Sequence, residues 1–106
     1  MKQHFRVVWN YDISVSVIGN GIEQSYKQYK AYHALNNEPC YRNHAVHFAN
    51  WFLVRGFQVY IYPHEGGCID MLTLKFFLGL GKKIGEVLQG VVLGRPKTEP
   101  EVTLYV

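Results

Sequence analysis

Phe5-Arg6-Val7-Val8-Trp9-Asn10-Tyr11-Asp12-Ile13-Ser14-Val15-Ser16-Val17 decides how the rest of the chain is read. Its odd positions, Phe5, Val7, Trp9, Tyr11, Ile13, Val15 and Val17, are apolar or aromatic throughout. The even positions between them are polar apart from Val8. Side chains on a strand alternate faces with a period of two, so the pattern predicts β-structure with one buried and one solvated side. A two-residue hairpin turn inside the run would shift the apolar set to the other parity on the return strand. No such shift occurs, and the expectation is one continuous strand. At ~3.3 Å per residue it would reach ~43 Å, against a radius of gyration of ~13 Å for a chain of this length. It must therefore bend, bulge or protrude, and a protruding strand invites a partner.

Working outward, Gly19-Asn20-Gly21 is a turn signal because both residue types tolerate positive φ. Ile22, Tyr26, Tyr29 and His33 then fall at i, i+4, i+7 and i+11, one stripe of a helix over about 22–36. Pro39 suits the first turn of a second helix, about 39–55. The apolar arc of that helix is Tyr41, Ala45, Phe48, Ala49, Phe52 and Leu53, with Gly56 as its C-terminal cap. Phe57–Tyr62 reads as a short strand, Pro63 to Gly67 as a hairpin loop, and 68–77 as the return strand. Ile84, Val87, Leu88 and Val91 have helical spacing and predict a helix over 82–93. Extending it back to Asp70 would place Thr73 in the apolar arc and three glycines in the interior, each costing ~1 kcal/mol relative to alanine. Gly94 to Pro100 is a connector, and Val102, Leu104 and Val106 alternate in a last strand.

That order predicts an α+β fold, a ferredoxin-like β-(αα)-β-β-α-β sandwich with a mainly antiparallel sheet and helices on one face. The 106 residues suffice for a single domain spanning 1–106, with 48% hydrophobic and 18% charged residues arguing against disorder. A net charge of +3 falls well short of a nucleic-acid footprint. The opening residues lack the apolar core of a signal peptide, and no window is apolar enough to span a membrane. The chain is therefore expected to be soluble and cytoplasmic, without membrane association and with no cofactor. Cys40 and Cys68 are expected to be reduced thiols, since two cysteines make no disulfide framework.

Candidate sites follow from this layout. The open sheet face would combine Arg6, Val8 and Asn10 with Gln58, Tyr60 and Tyr62, joined by Thr103 and Tyr105 and by Thr73 or Lys75. Tyrosines on a sheet seal against a second copy, pack a ligand or stack bases. Arg6, Val8, Asn10, Tyr60, Tyr62 and Tyr105 are accordingly the candidate homodimer interface. A pocket between sheet and helices would be lined by Trp9, Tyr11, Tyr26, Tyr29 and His33 and take a small organic ligand. Gly81, Lys82 and Lys83, at an expected helix start, are the anion-binding candidates. His44 and His47 share a helix face and could ligate zinc with a third group such as His33 or His64. Cys40 lies about two turns, or ~10 Å, from His47, too far for a compact ligand set from one helix. His64 and Glu65 on the loop could act as base and orienter if a pocket shifted their pKa values. Arg55 to Tyr62 superficially resembles the basic-Gly-aromatic strand of RNA-recognition domains, but Val59 stands where the middle stacking ring belongs. No catalytic set converges. The leading expectation is a non-catalytic binding or interaction module, dimeric through its open sheet face. The rival is a small-molecule-binding protein or cofactor-independent enzyme, and weak nucleic-acid binding comes third.

Overall fold

The computed structural model of the chain describes residues 2–34, 41–66, 69–80 and 90–106. The decisive stretch folds back on itself. Strand β1 spans Gln3–Trp9 and β2 spans Ile13–Gly19, paired antiparallel with Phe5 opposite Val17, Val7 opposite Val15 and Trp9 opposite Ile13. The expected continuous strand is thus a hairpin, and the longest dimension of the molecule is 34 Å. Asn10 and Tyr11 adopt φ of 52° and 62°, and the Asp12 N–H donates to the Trp9 carbonyl at 3.2 Å. Two left-handed central residues are the mark of a type I′ hairpin turn. Asp12 is one residue more than that turn needs. The connection is therefore three residues long, and odd residues again oppose odd ones. The excluded two-residue turn changes parity; this one does not.

The helices form as their stripes require. Helix α1, Ile22–Ala34, buries Ile22, Ser25 and Tyr29. Helix α2, Tyr41–Leu53, buries Ala45, Phe48, Ala49, Phe52 and Leu53. Gly56, at φ 89°, ends it: its N–H donates to the Leu53 carbonyl and that of Phe57 to the Phe52 carbonyl. This is a Schellman cap, whose usual apolar contact is made by the Phe52 and Phe57 rings at 5.2 Å. Strand β3, Gln58–Pro63, pairs antiparallel with β2.

Beyond β3 the expected order fails. A short 3-10 turn, His64–Gly66, leads toward helix α3, Met71–Leu78, instead of a return strand. Asp70 caps α3 by accepting the Thr73 N–H at 2.7 Å, while Thr73 and Phe77, one turn apart, face inward. Strand β4, Val92–Leu93, occupies the end of the segment expected to be helical and lies parallel to β3. Gly90 and Val91 before it belong to neither helix nor strand, and 82–89 lies outside the described residues, as do Cys40 and Cys68. Strand β5, Val102–Tyr105, lies parallel to β1. The sheet order is β4-β3-β2-β1-β5. The α+β class holds, but the ferredoxin-like order does not, and the sheet is mixed: its central pairs are antiparallel while both outer strands join in parallel.

Phe5, Val7, Trp9, Ile13, Val15, Val17, Val59 and Ile61 pack against α1, α2 and Phe77 in one cluster. The second face is not open, contrary to expectation. Val8, Ser14, Ser16 and Tyr62 on it are also buried. Thr73 and Lys75 belong to α3 and take no place there. Among the described residues, no helix is long and apolar enough to cross a membrane.

A candidate ligand cleft on the polar sheet face

The register places His4 beside Ile18 and Gln58, Arg6 beside Ser16, Tyr60 and Thr103, and Val8 beside Ser14, Tyr62 and Tyr105. The polar groups at the centre satisfy one another. Ser16 Oγ and the Tyr62 hydroxyl share a hydrogen bond of 2.8 Å, and Ser14 Oγ lies 3.2 Å from His64 Nδ1. Buried hydroxyls need such partners, because an unmatched one costs ~1–3 kcal/mol.

Residues 94–101 cross this face from β4 at one edge to β5 at the other. Gly94, at φ 139°, turns the chain, and its N–H donates to the Ile61 carbonyl at 2.9 Å. The Arg95 guanidinium then sits 5.0 Å above the centre of the Tyr62 ring. At the far side Thr98 Oγ1 lies 3.3 Å from His4 Nδ1, and the Glu101 N–H donates to the His4 carbonyl at 2.8 Å. Between this strap and the sheet lies a cleft of about 450 Å³, within the ~300–1,000 Å³ usual for small-ligand sites. Ile18, Tyr60 and Pro96 supply its apolar surface; Lys2, Arg95, Lys97, Glu99 and Glu101 supply charge.

His4 lines this cleft at 3% exposure. Burial lowers its pKa below the usual histidine value, and the nearby Arg6 charge adds to the effect. The Glu99 and Thr98 carbonyls and the Glu101 carboxylate oppose the shift without cancelling it. The imidazole is therefore neutral at pH 7. Its Nε2 is sealed from water and has no hydrogen-bond partner, and the same holds for Arg6 Nε.

The expected site residues scatter over the molecule. Tyr26, Tyr29 and Phe48 pack together, His33 lies against Tyr29 at 4.4 Å, and Trp9 packs edge-on to Phe48 at 5.7 Å. Burial raises the Tyr26 phenol pKa. Tyr11 leaves this group altogether: it stands 77% exposed on the hairpin turn, 6.3 Å from Tyr105 on the opposite face. Of the interface set, Val8 and Tyr62 are buried, Tyr60 lines the cleft, and Asn10 and Tyr105 are exposed. Gly81, Lys82 and Lys83 lie outside the described residues. His44 packs against Trp9 while His47 lies beside His33, and His64 is on the other face of the sheet. Among the described residues no three His, Cys, Asp or Glu side chains are grouped to hold a metal ion.

One arrangement invites a catalytic reading. His64 bridges Ser14 Oγ and, at 3.7 Å from its Nε2, the Glu65 carboxylate. This is a serine-histidine-acid string, yet Ser14 is fully buried. A nucleophile must reach a carbonyl carbon, with oxyanion donors about 3 Å beyond it. Ser14 has no such access, so the string is a structural clasp between β2 and the loop after β3.

His4, Arg95 and Thr98 are the site residues that sequence reasoning missed. The even parity of His4 was the available signal, while 94–100 reads from composition as a plain connector. Compared with known proteins, the chain matches no family model, no curated protein and no solved structure.

Proposed function

We propose that the protein is a non-catalytic binding module whose site is the cleft between the polar sheet face and the 94–101 strap. The observation that carries this reading is a buried histidine with an unmatched nitrogen lining a cleft of small-ligand size. Apolar walls with a few polar groups are the usual composition of such sites. The test is a small-molecule fragment screen by 1H–15N NMR, with hits located by the amides they shift. Binding that clusters on Gln3, His4, Gln58, Tyr60 and Thr98, and disappears when Gln58→Trp fills the cleft, supports the proposal. Hits located only on the helical face, around Tyr26 and His33, transfer the function to the pocket expected from sequence.

A second reading, homodimerisation, is favoured by one edge. Among the described residues no strand pairs with the outer side of β5, and Tyr11, Tyr105 and Val106 stand exposed there. An unpaired edge is a template for another chain. Size-exclusion chromatography with light scattering decides this: a strict monomer at millimolar concentration removes it.

A further inference from the structure

The two outermost strands are guarded unequally. Edge strands are ordinarily kept from pairing with other chains by brevity, charge, proline or a bulge. Strand β4 is two residues long and ends at Gly94, which turns the chain at φ 139°. The edge of β5 is less protected: Val102-Thr103-Leu104-Tyr105-Val106 has no charge and no proline, and all but Leu104 are β-branched or aromatic, the types that favour strands. The register fixes which backbone groups this edge offers. The Val106 N–H donates to the Val8 carbonyl, and the Val106 carbonyl accepts from the Asn10 N–H. Backbone groups alternate sides along a strand, so those of Leu104 also face β1 while Thr103 and Tyr105 turn theirs outward. Among the described residues no strand pairs with them there. A second observation lies beside this edge. Tyr11 holds φ 62°, a conformation that glycine takes without strain, yet its ring is 77% exposed and meets Tyr105 at 6.3 Å. Within one copy the ring gains little burial for that strain, and strained backbone concentrates where a contact uses it.

Resting on the homodimer reading above, we infer that two copies of the chain join β5 to β5, antiparallel, about a two-fold axis at Leu104, with the Tyr11 ring as an added contact from each. Thr103 then pairs with the partner's Tyr105, and Tyr105 with the partner's Thr103. This register satisfies the N–H and C=O of both outward residues. Centring the axis on Thr103 would leave the Tyr105 carbonyl without a donor, because the Glu101 N–H is already given to His4. On the core side Leu104 meets the partner's Leu104, and Val106 meets the partner's Val102, so the new cross-strand pairs there are apolar. A two-fold axis also sets every charge near it against its own copy. Residues 102–106 bring none, which is why the occupant that fits this edge is a second copy.

The test is NMR of the full chain from micromolar to millimolar concentration, with sedimentation equilibrium for the association constant. As the dimer forms, the Thr103 and Tyr105 amides are expected to become protected from hydrogen exchange. A mixture of labelled and unlabelled chains is expected to show an intermolecular Hα–Hα contact at Leu104, the mark of a non-hydrogen-bonded antiparallel pair. These wild-type measurements need no variant to fold. Thr103→Pro removes an outward N–H that the β1 ladder does not use, and Val106→Lys puts a charge against the partner's Val102; each is expected to weaken association by about tenfold or more. Tyr11→Gly is expected to weaken association while raising the urea midpoint of the dilute monomer, a pair of opposite signs that a merely structural tyrosine does not give. If wild type stays monomeric at millimolar concentration, the homodimer reading fails and this assignment with it. If a dimer forms but neither Thr103→Pro nor Val106→Lys weakens it, homodimerisation stands and the β5 edge is overturned; shifts confined to Met71, Leu72 and Phe76, exposed on α3, would relocate the contact there. If the edge amides are protected but the Leu104 contact is missing, the register is overturned. If Tyr11→Gly associates as wild type does, the part assigned to Tyr11 is overturned.

Discussion

Removing one hydroxyl from the polar sheet face should cost more than removing two. Ser16 is fully buried, Tyr62 nearly so, and their hydroxyls share a 2.8 Å hydrogen bond. Tyr62→Phe leaves Ser16 Oγ without that partner in a place water does not reach, and Ser16→Ala does the same to the tyrosine hydroxyl. An unmatched buried polar group costs ~1–3 kcal/mol, whereas replacing both partners by apolar groups is nearly neutral. Each single variant is therefore expected to lose about 2 kcal/mol. At roughly 4–8 °C per kcal/mol for a domain near this size, the melting temperature should fall by ~8–16 °C. The double variant should lose ~0–1 kcal/mol, giving a coupling energy of ~3 kcal/mol, well outside the ~0.5 kcal/mol error of additivity between independent sites. Urea denaturation followed by tryptophan fluorescence measures all four corners of the cycle. Single variants within ~0.5 kcal/mol of wild type would show that water reaches this face. The strap and the His64 loop would then not seal it, and His4 Nε2 would find its partner in water.

Three further outcomes are expected. Asp70→Ala removes the acceptor of the 2.7 Å bond from the Thr73 N–H and should cost ~1 kcal/mol of stability; an unchanged urea midpoint would mean that α3 does not start at this cap. Tyr11→Gly should stabilise the protein by ~0.5–1 kcal/mol, because a left-handed non-glycine residue costs ~1–2 kcal/mol and the larger entropy of unfolded glycine returns only part of it. A loss on that substitution would show that the exposed Tyr11 ring stabilises the hairpin through Tyr105. The pKa of His4 is lowered in the fold, mainly by burial, so the unfolded chain binds the extra proton first as pH falls through about 6.5. Stability should then decline below that pH and level off once the folded-state histidine titrates too. His4→Gln should flatten the decline in urea midpoints between pH 7.5 and 5.5, and a variant as steep as wild type refutes the assignment.

The face assignments of the first two strands were legible because they depend on parity alone. A three-residue connection keeps odd residues opposite odd ones, so one alternation serves a straight strand and this hairpin equally. The signal that separates them is ordinarily glycine in the turn, since a type I′ turn needs positive φ at both central positions. Here Asn10 and Tyr11 fill those positions. Asparagine enters this region readily; tyrosine does so at a cost, and no sequence pattern announces it. Helices α1 and α2 were legible for the opposite reason. Their stripes face a core, and Gly56 ends α2 by the chemistry its residue type implies.

Helix α3 was misread because its hydrophobicity is arranged the wrong way round. Met71, Leu72, Phe76 and Leu78 are exposed while Thr73 is buried, so counting apolar residues points away from the face that packs. Asp70, an N-cap residue type followed three places later by the amide it binds, was the better guide. The covered polar face was hidden for a related reason. Hydropathy predicts burial for side chains that lose little on leaving water, and serine is not among them. Ser14 and Ser16 are buried because His64 and Tyr62, at sequence separations of 50 and 46, replace the water they give up. That condition belongs to pairs of residues and not to either residue alone. A strap of mixed charge can close over such a face wherever the pairing is complete. His4 Nε2 and Arg6 Nε, buried without a hydrogen-bond partner, are where it is not complete, and of the two residues His4 lines the cleft.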